Sequence, residues 1–355
     1  MSAIRKVLSV ILVLSMLFLC SCKTVDDLVQ NPQKDDGKIK IGVCFDSFVI
    51  ERWQRDRDVF VSMAKELGAD VNVQNANGDV ATQKSQIEYF IDEHVDVIVI
   101  IAIDGYDLVE EVTHAKEEGI LVVAYDRLIC NADVDLYISF DNYRVGELMA
   151  QALVDAGIQD KNVLMLGGSE SDNNVELVEA GFRKVMGNNG NTIVDSIHCT
   201  GWKAEIASDY VRNNPEVVYN VDAIMCGNDN LASQVVPALA EMRLAGEIYV
   251  VGQDADLEAC QRIVEGTQVM TVYKPVEHLA QRAAELTIMM VKGEDISTQD
   301  GYQLLNDGTY NVPYIAIEPV MVTIDNIDEV IINSGFHLRE DVYLNVPYKD
   351  EEVPA

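Results

Sequence analysis

The sequence predicts two doubly wound α/β lobes, and three observations carry that prediction. Short β-branched runs alternate with longer amphipathic ones along most of the chain. Several short runs are apolar almost throughout, notably Val95-Asp96-Val97-Ile98-Val99-Ile100-Ile101-Ala102, as expected of parallel strands covered on both faces. The alternation lasts about 240 residues of a 355-residue chain, too long for one open sheet of ordinary size, so two Rossmann-like sheets share it. A (β/α)8 barrel is the rival arrangement of the same pattern.

Taken in order, strands are expected at 39–45, 71–74, 95–102, 121–125, 136–140, 162–166, 192–197, 223–226, 248–252 and 270–273. Between the first two, Trp53, Phe60, Ala64 and Leu67 fall seven, four and three apart, one stripe of a helix that Gly68 can end. Ile87, Phe90 and Ile91 repeat the pattern, and another helix runs from Val145 through Ala156-Gly157.

The start of the chain reads differently. Arg5 and Lys6 precede an apolar run over 7–19, followed by Cys20-Ser21-Cys22. That run is shorter than the roughly 20 apolar residues of a spanning helix. With a basic front and small residues behind, it is an export signal over 1–21. Its end resembles a bacterial lipoprotein signal, which implies cleavage before Cys22, lipid on the Cys22 sulfur and a place on the outer face of the cell membrane or in the periplasm. A plain secretory signal is the alternative. Residues 22–38 are polar, contain Pro32 and Gly37, and read as a flexible tether reaching roughly 20–25 Å.

Composition narrows the partners. Apolar residues make up 48% of the chain, too many for a disordered segment. Lys and Arg total 26 against 59 Asp and Glu, a net charge of −33. Such a surface repels phosphate backbones and anionic lipid, so nucleic acid is excluded and any membrane contact runs through the lipid alone. Beyond Cys22, the thiols Cys44, Cys130, Cys199, Cys226 and Cys260 are odd in number and scattered, without C-x-x-C or a Cys/His cluster. They read as buried free thiols, not zinc ligands.

Ligands of open α/β sheets bind beyond the carboxyl ends of strands. Those ends here are strongly polar: Asp46; Asp126-Arg127; Asp141-Asn142; Gly167-Gly168-Ser169 before Asp172-Asn173-Asn174; Gly227-Asn228-Asp229; Gln253-Asp254; and Lys274, with Trp202 after Gly201. Carboxylates and amides suit hydroxyls, Arg is a planar fork for adjacent oxygens, and an indole face stacks on the C–H side of a pyranose. Each residue also has a plain alternative. Asp46, Asp141 and Asn228 could cap helices, Gly167-Gly168 could be a tight turn, Arg127 a surface ion pair and Trp202 a core aromatic. The case rests on many strand ends sharing one chemistry.

Catalytic signatures are missing where they would sit. The first strand carries no G-x-G-x-x-G, and the sequence has no G-x-x-x-x-G-K-[ST], no G-x-S-x-G and no H-E-x-x-H. Paired carboxylates such as Asp126 and Asp254 carry little weight as a glycosidase signal in a chain this acidic.

At these residues the chain resembles the periplasmic sugar-binding proteins of the ribose/galactose class, and within them the D-xylose binders of ABC importers. The matching segments are Glu51-Arg52-Trp53-Gln54, Ala124-Tyr125-Asp126-Arg127, Tyr137-Ile138-Ser139-Phe140-Asp141-Asn142, Asp172-Asn173-Asn174, Gly201-Trp202, Gly252-Gln253-Asp254-Ala255-Asp256 and Thr271-Val272-Tyr273-Lys274-Pro275, in the same order over nearly the whole mature chain. The resemblance implies a type I binding protein: two lobes joined by three crossover hinges, closing on one monosaccharide. The first lobe would be 39–141 plus about 277–320, the second 142–276 plus about 321–348. Ligand-binding residues carried over are Arg52, Asp126 and Arg127 from the first lobe, Asn174, Trp202, Asn228 and Asp254 from the second, and Lys274 at a crossing. Asn174 and Lys274 favour the xylose type over ribose binders. The stretch 185–201 departs from the pattern, with His198-Cys199-Thr200 where a further aromatic is expected, so glucose and arabinose stand as alternatives to xylose. The resemblance further implies a monomer that needs no cofactor, metal or catalytic residue. Its partners would be ABC permease subunits or, alternatively, a membrane histidine kinase or chemoreceptor.

Overall fold

The computed structural model describes residues 37–346; the export signal, Cys22 and most of the tether lie outside the described residues. The strands are β1 (Lys40–Phe45), β2 (Asp70–Asn75), β3 (Val97–Ile100), β4 (Leu121–Tyr125), β5 (Leu136–Phe140), β6 (Asn162–Gly167), β7 (Thr192–His198), β8 (Ala223–Cys226), β9 (Tyr249–Val251), β10 (Met270–Tyr273), β11 (Tyr302–Asn306), β12 (Asn311–Ile317) and β13 (Val320–Thr323). The helices are α1 (Arg52–Glu66), α2 (Val80–Asp92), α3 (Val109–Glu117), α4 (Asn142–Asp155), α5 (Asn173–Asn188), α6 (Ala204–Asn213), α7 (Pro215–Val218), α8 (Asp229–Glu241), α9 (Leu257–Glu265), α10 (Val276–Val291) and α11 (Arg339–Val342).

The strands form two separate sheets, ordered β11-β12-β5-β4-β3-β1-β2 and β13-β10-β9-β8-β6-β7. That excludes the barrel. Pairing is parallel except where β11 runs against β12 and β13 against β10. The chain passes between sheets three times: from β5 into α4, from β10 into α10, and from β12 to β13. Central strands are apolar on both faces, as Val97–Ile100 and Ala223–Cys226 are buried at every position. One core joins Val43, Phe60 and Val123 of the first sheet's layer to Leu279, Ala283 and Leu286 of α10, so the helix after the second crossing packs back on the first lobe.

Two differences from the sequence reading have simple causes. Leu67 does not extend the α1 stripe: it is the C-cap residue, 41% exposed, and Gly68 at φ +90° turns the chain there. Strands β11 to β13 went unpredicted because β11 is a half-exposed hairpin edge and β12 carries Pro313, a residue that breaks a strand pattern. The five thiols in the described residues are buried and free.

Candidate functional site

One cavity lies between the lobes, where strand ends of the two sheets face each other. It offers about 480 Å³ free of protein atoms, part of it open to solvent. From the first lobe come Arg52 and Trp53 at the start of α1 and Asp126-Arg127 after β4. The second supplies Gly168 and Asp172 between β6 and α5, Asn174 in the first turn of α5, Trp202, Asn228 after β8, and Gln253-Asp254 after β9, while Lys274 follows β10 at a crossing.

The charges are organised in buried sets. Arg52 Nη2 lies 2.8 Å from Asp126 Oδ2 and 3.2 Å from Asp56 Oδ1, and its guanidinium sits 4.4 Å from the Trp53 ring centre. Arg127 links the lobes: Nη1 is 2.8 Å from Asp46 and Nε 2.9 Å from Asp172. Lys274 Nζ is 3.2 Å from Asp254 Oδ1. Burial would raise the Asp126 carboxyl, but Arg52, Lys274 and Arg127 outweigh it and hold the group below the usual carboxylate range. At Asp172 burial wins over Arg127 and the carboxyl is raised.

Asn174 ties the second lobe to the first. Its Nδ2 donates to the Asp126 carbonyl at 2.9 Å, and its Oδ1 accepts from Asn142 Nδ2 at 2.9 Å beside the Tyr137 hydroxyl at 3.1 Å. Nearer the rim, Gly105 N donates to the Ser171 carbonyl at 2.9 Å. In contrast, Trp53 Nε1, Trp202 Nε1 and Gln253 Oε1 are buried with no partner in the protein. Buried polar atoms are normally bonded, so these three mark the wall as built for polar contents.

Backbone geometry sharpens the site. Asp126, Trp202 and Asp254 all have positive φ, at 63°, 57° and 101°. Non-glycine residues hold such angles only where their surroundings enforce them. At Gly168 a Cβ would fall 2.2 Å from the Trp202 ring, so the indole lies directly on glycine backbone.

All eight residues expected from the sequence, Arg52, Asp126, Arg127, Asn174, Trp202, Asn228, Asp254 and Lys274, line this cavity. The plain alternatives coexist with that placement. Asn228 also caps α8, accepting from Leu231 N, and Asp141 caps α4. Asp46 is no cap; it partners Arg127. Sequence reasoning missed Trp53 and Glu179 as wall residues, and it read Asp172 and Gln253 among the polar strand ends without assigning them as contacts. Trp53 sits on the apolar stripe of α1 and is 2% exposed, so periodicity assigns it to the core. Glu179 had no signal at all: it is mid-helix, and only folding brings it to His198 Nε2, 2.9 Å away.

Residues 41–295 match the family described as periplasmic binding protein domain. The chain is 44% identical over 310 residues to the D-xylose-binding periplasmic protein of Haemophilus influenzae, covering 86% of this chain and 92% of that one. Against the protein of the same name from Escherichia coli the identity is 42% over 320 residues, covering 89% and 96%. Among solved structures, a carbohydrate transporter solute-binding protein from Chloroflexus aurantiacus in complex with D-glucose superposes with a TM-score of 0.77 at 27% identity, over 86% of this chain and 98% of that one. With two linked α/β lobes, a cavity between them and a family match over most of its length, the chain belongs to the periplasmic binding protein family.

Proposed function

We propose that this protein is an exported receptor that closes on a single neutral monosaccharide, D-xylose first, and delivers it to an ABC importer. The observation that carries the reading is a cavity walled from both lobes in which every cation already has a carboxylate partner: Arg52 with Asp126, Arg127 with Asp46 and Asp172, Lys274 with Asp254. Such pairs present oxygens and N–H groups to hydroxyls while leaving no cation free for an anionic ligand. Closure strips water from the sugar, so each hydroxyl needs a protein partner, and a hydrogen bond to a charged group contributes about 1.5–3 kcal/mol. The xylose assignment draws on the two relatives named for that sugar. The Arg52, Asp126, Arg127, Asn174, Trp202, Asn228, Asp254 and Lys274 side chains are the contacts assigned to it.

Calorimetric titration with xylose, glucose, arabinose, ribose and xylonate tests this. Xylose binds tightest, and xylonate fails because its carboxylate meets Asp126, Asp172 and Asp254 without a spare cation. At 100 times its dissociation constant the sugar adds about 2.7 kcal/mol of stability. No heat with any neutral sugar ends the reading.

Anchoring by lipid on Cys22 is part of the same proposal. The processed protein extracted from membranes partitions into detergent and carries lipid mass on its N-terminal Cys22; aqueous partition of the processed protein points to a plain secretory signal. Docking on a membrane histidine kinase or chemoreceptor instead of permease subunits is the second reading of the same fold, separated by which membrane protein co-purifies with the sugar-loaded form.

A further inference from the structure

The loop carrying Asp254 is held in an unusual shape by groups that do not touch the cavity. Asp254 has φ 101° and Ala255 φ 56°, two consecutive residues in backbone regions that L-residues avoid. Behind them stands Asp229, the first residue of α8, fully buried and absent from the cavity wall. Its Oδ2 accepts from the Thr271 hydroxyl at 2.5 Å and from Asp256 N at 3.3 Å, and its Oδ1 accepts from Gln268 Nε2 at 2.8 Å. The Thr271 oxygen in turn accepts from Ala255 N at 3.1 Å. Asp229 N donates to the Gln253 carbonyl at 2.9 Å. Residue 252 must be glycine beside this carboxylate, since a Cβ there would lie 2.2 Å from Asp229 Oδ1. Arg262 closes the set from α9, its Nε donating to Gln268 Oε1 at 2.9 Å and its Nη2 to the Asp229 carbonyl at 3.2 Å.

Gln253, Ala255 and Asp256, three of the four residues from 253 to 256, are therefore bound directly or through Thr271 to one buried side-chain pair or its own backbone, while Asp254 between them donates its N–H to the Val272 carbonyl at 2.9 Å. Buried networks of this kind keep one geometry because every alternative leaves a polar group unpaired. We propose that Asp229 and Thr271 are positioning residues for Asp254: they lock the 252–256 loop so that the Asp254 carboxylate reaches the cavity and Lys274. The affinity part of this inference rests on the sugar-binding reading; the loop part does not.

Thr271→Val keeps the side chain's shape and removes the relay hydroxyl; Asp229→Ala removes the anchor itself. In the sugar-free protein, hydrogen exchange at the Ala255 and Asp256 amides speeds up at least tenfold in Thr271→Val, while amides of β1 to β4 stay protected. Unchanged exchange in that variant overturns the inference whether or not any sugar binds. With sugar, Thr271→Val weakens xylose binding at least fivefold in the wild-type background and less than twofold beside Asp254→Asn. Equal losses in both backgrounds overturn the positioning role, because the effect would then not pass through Asp254. A wild-type protein that binds no sugar sinks the earlier proposal alone, and the exchange measurement still decides this one.

Discussion

Arg127 shows how much one side chain holds. Its guanidinium bridges Asp46 of the first lobe and Asp172 of the second and also donates to the Ala102 carbonyl at 3.0 Å. Arg127→Ala leaves two buried carboxylates unpaired, a loss of about 3–5 kcal/mol in stability, and weakens sugar binding tenfold or more; Asp254→Ala has the same effect on affinity, and calorimetry with unchanged constants in both would refute these contacts. Asp229 predicts a pH dependence. Burial pushes its carboxyl up to about 7, against about 3.9 in an unfolded chain. A folded-state value above the unfolded one means the folded protein holds the proton more tightly. That contribution is complete below about pH 4 and is lost as pH rises through 7. Asn mimics the protonated form without titrating, so the melting temperature of wild type relative to Asp229→Asn falls between pH 5 and pH 8; a constant or rising difference contradicts the assignment.

At the scale of elements, the site is a set of strand exits. The polar residues after β4, β8, β9 and β10 were legible in the sequence because a continuous apolar run followed abruptly by Asp, Asn or Lys marks both the strand and its carboxyl end. Trp202 was legible only through its Gly201-Trp202 pair, and its seat on Gly168 was not. Gly168→Ala places a Cβ inside the ring's space, so the indole shifts and affinity falls about tenfold, with the fold kept; retained affinity and unchanged tryptophan fluorescence on adding sugar would show that the ring is elsewhere. Helix α1 illustrates the limit of periodicity. Its stripe located Phe60 and Ala64 in the core correctly, yet the same stripe hid Trp53's second face, which meets the cavity between Arg52 and Arg127.

For the whole molecule, the lobes meet through direct bonds as well as around the cavity. Arg127 to Asp172, Asn174 to Asp126, and Gly105 to Ser171 all cross between them, and three chain passages join the sheets. Direct contacts of this kind favour closure only as far as they differ between open and closed forms. Asp172→Ala removes one, so the sugar-free protein expands in solution scattering and sugar binding weakens several-fold; an unchanged radius of gyration would place the closing energy elsewhere. The chain's net charge of −33 adds long-range repulsion against sugar acids and phosphates and makes the discrimination depend on salt.

Periodicity, apolar runs and the residues that end them were enough to point to two α/β lobes and to gather polar candidates such as Asp126, Arg127, Asn228, Asp254 and Lys274 near strand ends, because both follow from local rules of burial along one segment, whereas Arg52 and the full set of eight contacts came from the resemblance to sugar-binding proteins. Which groups pair across the gap, that Trp53 and Glu179 join the wall, that Asp229 and Thr271 stand behind Asp254, and that β12 crosses to β13 were decided only by the folded chain. Those relations connect residues tens to hundreds of positions apart, and no local pattern encodes a contact whose two halves are brought together by the packing of separate sheets.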